Sequence, residues 1–111
     1  MSKGIPRLKS LKSLEGELTE SELTRQVLDY LKYIPDSSFK KIRGGLGMKG
    51  LLDIIGCWRG QYVELEIKTK RGKLKPHQLE RIMQIRKAGG IAGVVKSCED
   101  VEEIFGLNRL M

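Results

Sequence analysis

Residues 51–69 read LLDIIGCWRGQYVELEIKT, and the way this stretch divides decides the fold. LLDIIGCW is an apolar run of strand length, Arg59-Gly60 marks a tight turn, and QYVELEIKT alternates apolar with polar residues. Together they predict two antiparallel strands closed by a short hairpin. In the second strand Val63, Leu65 and Ile67 fall on one face and Glu64, Glu66 and Lys68 on the other, because successive strand side chains point to opposite sides of a sheet. The charged face has two readings. It is turned to water, an ordinary place for glutamate, or it gathers two acids and a lysine for a reaction.

Upstream, residues 19–35 (TESELTRQVLDYLKYIP) space Leu23, Val27, Leu28 and Leu31 at helical period, with Thr19 as N-cap and Pro35 as the stop. SSFKKIR (37–43) reads as a short strand and GGLGMKG (44–50) as a glycine-rich loop. Downstream of the basic turn KRGK (70–73), Pro76 opens a second helix with Leu79, Ile82, Met83 and Ile85 as its apolar side, and Gly89-Gly90 closes it. IAGVVK (91–96) is a strand, and Ser97 with Asp100 caps a last helix carrying Val101, Ile104 and Phe105. The order is helix, three strands, helix, strand, helix. It predicts an α/β domain whose mixed central sheet begins antiparallel and gains its last strand through a crossover helix.

A chain of 111 residues, 40% hydrophobic and 32% charged, has room for one domain with its own core. No apolar run approaches the length of a membrane span, and the N-terminus lacks a signal-like apolar region, so a cytoplasmic location is expected. Cys57 and Cys98 lack metal-ligand spacing and read as ordinary reduced thiols. The net charge of +7 is unevenly placed: residues 68–87 hold eight bases against Glu80 alone, and residues 1–14 hold four bases and no acid. Segregated positive charge of this kind is the footprint of a polyanion binder. Residues 1–18 therefore read as a basic arm and 19–111 as a single domain.

The hairpin can bring Asp53, on its first strand, beside Glu66 on its second. Such a pair suits a hard divalent cation, since Mg²⁺ takes oxygen ligands and uses one or two carboxylates together with substrate phosphate. Lys68, two residues from Glu66 on the same face, is placed to orient an attacking water or to offset charge at a phosphorus centre. Asp53 lies in an apolar strand, where an ionised carboxylate is costly unless it has a partner or a metal.

Across roughly residues 44–104 the sequence resembles the VRR-NUC family, a branch of the PD-(D/E)xK nucleases. The matching parts are Gly50 and Asp53 of the G-x-P-D element, Glu66-Ile67-Lys68 of the (D/E)-x-K element, GKLKPHQ with Gln78, and AGG before the last strand. Leu52 stands where the family has proline. The resemblance implies a restriction-endonuclease-like core and a Mg²⁺- or Mn²⁺-dependent nuclease. Asp53, Glu66 and the carbonyl of Ile67 would be its metal ligands, Lys68 its catalytic lysine, and Gln78 a residue beside the site. Glu22 matches the family's N-terminal glutamate, and Thr19-x-x-Glu22 is also a capping box; both readings stand. Stand-alone members of the family look like homodimeric resolvases of four-way (Holliday) junctions, where two paired cuts require two-fold symmetry. Lys70, Arg71, Lys73 and Lys75, with Arg43, Lys49 and His77, are the expected DNA contacts, made to the backbone with little sequence preference. A binding module without chemistry, and a nuclease acting on linear duplex, are the alternatives.

Overall fold

A computed structural model describes residues 18–43 and 49–107. The basic arm lies outside them apart from Leu18, as do the arm's apolar residues Ile5, Leu8, Leu11 and Leu14 and most of the glycine-rich loop. Seven elements follow one another: helix α1 (Glu20–Leu31), strands β1 (Ser37–Lys41), β2 (Ile54–Trp58) and β3 (Gln61–Ile67), helix α2 (Pro76–Lys87), strand β4 (Ile91–Val95) and helix α3 (Cys98–Phe105). The strands form one sheet in the order β1-β2-β3-β4. β1, β2 and β3 pair antiparallel, and β4 joins β3 in parallel, as a connection carrying a helix between them requires.

The local causes are visible in the sequence. Arg59 and Gly60 both take positive φ, at 50° and 83°, the pairing of a two-residue hairpin turn whose twist matches its strands. Thr19 accepts from the Glu22 N–H while Glu22 accepts from the Thr19 N–H, so a reciprocal box opens α1. At α3, Ser97 accepts from the Asp100 N–H, but the Asp100 carboxylate turns back to the Lys96 N–H.

Helices cover both faces of the sheet. Val63, Leu65 and Ile67 of β3 pack with Ile54 and Val95 against Leu23, Val27, Tyr30 and Leu31 of α1 and Val101 and Phe105 of α3. On the opposite face α2 lays Ile82 and Ile85 over Leu52 and Ala92. Leu79 and Met83, expected on the apolar side of α2, are instead 48% and 61% exposed. The reason is that β3 offers charged rather than apolar side chains to this helix, leaving room for only a narrow apolar stripe. β4 is an edge strand, and Arg86 Nε of α2 donates to its Ala92 carbonyl at 2.9 Å. At the other edge β1 carries the exposed Lys40 and Lys41.

Gly56 sits opposite Phe39 in the β1–β2 ladder, and a Cβ there would lie 2.2 Å from the Ser38 carbonyl oxygen and 2.9 Å from the Phe39 Cα. Both are backbone atoms of the neighbouring strand, which cannot rotate away. Gly56→Ala is expected to lower the unfolding free energy by about 1–3 kcal/mol, read as a fall in the urea midpoint.

Candidate active site

The charged face of β3 is neither solvent-facing nor open: it lies beneath α2, with Glu64 0% and Glu66 4% exposed. Burying two carboxylates is costly unless each is satisfied, so their partners define the site.

Ile54 pairs with Leu65, and continuing that ladder by one residue sets Asp53 across from Glu66. Asp53 lies just before β2 and not within it. Regular pairing stops there because Gly50 turns at φ 95° and the Leu52 N–H is directed to the Glu64 side chain. The Asp53 carboxylate is part-buried, and its Oδ2 accepts the Ile67 N–H at 2.8 Å. Glu66 accepts from Gln78 Nε2 at 2.8 Å and lies 3.5 Å from Lys68 Nζ, both side chains being nearly buried. Gln78 Oε1 accepts the Lys75 N–H at 2.9 Å, so this side chain both closes the first turn of α2 and holds the Glu66 carboxylate. Lys68 follows the last residue of β3, its N–H donating to the Val95 carbonyl. Asp53, Glu66, Lys68 and Gln78 thus converge where β2 ends its pairing with β3 and α2 begins.

Burial and the neighbouring Asp53 carboxylate push the Glu66 carboxyl up to about 7, only partly opposed by Lys68. Two carboxylates side by side under one lysine are an arrangement that a cation relieves. Among the described residues no three His, Cys, Asp or Glu side chains cluster, so the side-chain donors are two hard carboxylates. They fit a small divalent ion that keeps several waters and shares substrate phosphate, and lack the soft or imidazole ligands that favour zinc.

A consequence for stability follows. The folded carboxyl titrates near 7 and an unfolded glutamate near 4.5. Below both values Glu66 is neutral in either state; as pH rises between them the unfolded chain ionises first, so the metal-free fold loses stability across that window. Glu66→Gln, a neutral mimic, is expected to melt close to wild type at about pH 4 and above it at about pH 8, a crossover that parallel melting curves in EDTA would reveal.

Glu64 of this face and Arg81 of α2 form a pair beside the site that the sequence reading did not single out. Glu64 Oε1 accepts the Leu52 N–H and Arg81 Nε, both at 3.1 Å, and its Oε2 accepts Arg81 Nη2 at 2.5 Å and the Tyr62 hydroxyl. Burial alone would raise the Glu64 carboxyl, yet the bonds from Arg81, Tyr62 and Leu52 outweigh it and hold it below the usual range. The signal was present in the spacing: Glu64 precedes Glu66 by two strand positions, and Arg81 follows Gln78 by one helical turn.

Neither Glu22 nor any of the expected DNA contacts bonds to Asp53, Glu66 or Lys68 among the described residues. Lys70, Arg71, Lys73 and Lys75 are exposed on the loop between β3 and α2, and Arg43, Lys49 and His77 are exposed as well. Lys49 and His77 line one small cavity together with Arg81 and Gln84. Glu22 is bonded to Thr19 at the start of α1, the geometry of the capping reading. No helix among the described residues is long and apolar enough to cross a membrane.

No protein-family model and no curated protein matches the sequence. The structure does have counterparts: a solved VRR_NUC domain superposes with a TM-score of 0.63 at 24% identity, covering 78% of this chain and 94% of that one. The fold is that of a VRR_NUC domain. A second counterpart is Hjc of the archaeal hyperthermophile Archaeoglobus fulgidus, a Holliday junction resolvase, with a TM-score of 0.54 at 20% identity over 69% of this chain and 67% of that one. The four-stranded mixed sheet between helices is the α/β arrangement that the hairpin and crossover predict, and it is consistent with the restriction-endonuclease-like core that the resemblance implies.

Proposed function

We propose that the chain is a metal-dependent DNA endonuclease of the VRR-NUC type, acting on branched DNA and in particular on four-way junctions. The observation that carries this reading is the convergence of Asp53 and Glu66, with Lys68 and Gln78 in contact with Glu66. Asp53, Glu66 and the Ile67 carbonyl would hold Mg²⁺ or Mn²⁺. When bound, such an ion polarises a phosphate oxygen and makes water a better nucleophile. Lys68 supplies an ammonium group beside the reacting phosphate, where it orients water and balances developing negative charge. Gln78 fixes the Glu66 carboxylate, and the exposed bases of residues 70–75 contact the DNA backbone without reading sequence. Fold similarity to a Holliday junction resolvase favours the junction over linear duplex. A homodimer would bring the two active sites that paired cuts need, and such an enzyme would work in the cytoplasm. A module that only binds DNA has no use for two adjoining carboxylates at the floor of the site, since they repel the polyanion and each other.

Cleavage of a labelled four-way junction beside a linear duplex of the same sequence, with Mg²⁺, Mn²⁺ or EDTA, tests this reading. The expected result is metal-dependent, symmetric cutting of the junction that disappears in Glu66→Ala. Equal cutting of linear duplex would retain the nuclease and remove the junction. Binding without cutting under either metal would leave a DNA-binding module.

A further inference from the structure

We infer that Glu64 is a positioning residue for the metal site, joining the backbone that carries Asp53 to the helix that carries Gln78 through its bonds to the Leu52 N–H and Arg81. This rests on the proposed nuclease reading and deepens it. Glu64 is fully buried, and each of its carboxylate oxygens has two donors. One donor is the backbone immediately before Asp53. Another is the guanidinium one turn along α2 from Gln78. Glu64 is therefore in contact with both segments whose side chains meet at Glu66, while its own side chain does not enter the site. Leu52 matters here for its N–H: the proline that the resemblance leads one to expect at this position has no N–H and could not make the bond. Outer partners of this kind orient ligands, and their loss typically costs 10–100-fold in metal affinity or activity.

A structural role alone makes a different forecast, so the two can be separated. Glu64→Leu combined with Arg81→Met replaces the buried pair with apolar side chains of similar size, an exchange that proteins often accept without loss of stability. It also removes the acceptor for the Leu52 N–H. The double variant is expected to stay folded with a melting temperature near wild type. Its affinity for Mn²⁺ alone, titrated calorimetrically without DNA, should fall by about 10-fold or more, with a comparable fall in cleavage rate and unchanged junction affinity in EDTA. A folded double variant that binds Mn²⁺ and cuts like wild type overturns the inference, because the network then serves the fold alone. If the double variant does not fold, Glu64→Gln takes its place: it keeps the shape and an acceptor but loses the charge that holds Arg81. Wild-type Mn²⁺ affinity in that variant overturns the inference equally, and an affinity lowered several-fold supports it. A wild-type chain that neither binds Mn²⁺ nor cuts DNA would defeat the nuclease reading itself and this inference with it, an outcome distinct from any difference between variants.

Discussion

Lys68→Ala is expected to slow junction cleavage by about 10²–10³-fold while leaving DNA affinity nearly unchanged. The Lys68 ammonium lies 3.5 Å from Glu66 Oε2 and is largely shielded from water, where a charge acts more strongly than at a solvated surface. In the proposed mechanism only chemistry at the phosphate depends on that location. The proposed DNA binding would draw on many charges, since Lys70, Arg71, Lys73 and Lys75 remain on the adjoining loop, and one lost phosphate contact changes the salt dependence of affinity by about one unit of slope. Single-turnover rates at saturating enzyme, set beside equilibrium binding in EDTA, separate the two. If the rate loss came with an equal loss of affinity, Lys68 would be one more DNA contact and its assigned role would be wrong. Lys68→Arg is not expected to restore the rate, because a planar guanidinium neither fits the pocket of an ammonium nor presents its charge as a point.

The largest expected loss of stability comes from Arg81→Ala, about 3–5 kcal/mol. Truncating Arg81 leaves Glu64 as a buried carboxylate still held by the Tyr62 hydroxyl and the Leu52 N–H but without a counter-charge. The cost is that of the stranded charge, and for a domain of this size it corresponds to a fall in melting temperature of roughly 10 °C or more. An ion pair of similar appearance sets the contrast. Lys32 and Asp29 lie 3.5 Å apart on α1 with the lysine three-quarters exposed, and Lys32→Ala is expected to cost under about 1 kcal/mol. Equal effects of the two substitutions in thermal melts would mean that Glu64 is better hydrated than its burial implies.

Much of this was legible in the sequence, and for identifiable reasons. The hairpin could be read because Gly60 supplies the positive φ its turn needs and because Val63, Leu65 and Ile67 keep strict alternation. The crossover followed from a helix with Pro76 at its start lying between two strand-like runs. Asp53, Glu66 and Lys68 could be grouped because strand pairing brings them together from nearby positions, and Gln78 joined them only through the resemblance to the VRR-NUC family. Three features escaped. Leu79 and Met83 have helical spacing but face away from the sheet, since period alone does not say how wide an apolar face the partner offers. Asp53 falls outside its strand because the Leu52 N–H is diverted to a side chain that a linear reading places on a different element. The Glu64–Arg81 pair was hidden because alternation alone does not say whether the charged face of a strand meets water or a covering helix, and here the helix supplies the counter-charge.

If the chain acts on DNA as proposed, the margins of its sheet bear on how it would behave when concentrated there. A duplex coated with bound copies holds them at high local density, the setting in which exposed strand edges recruit one another into aggregates. At one margin Arg86 occupies the Ala92 carbonyl that a foreign strand would otherwise use. At the other, Lys40 and Lys41 of β1 set like charges against any second copy arriving edge-on. The same basic character that would draw the chain to a polyanion under the proposed function would thus help to keep neighbouring copies from polymerising along it.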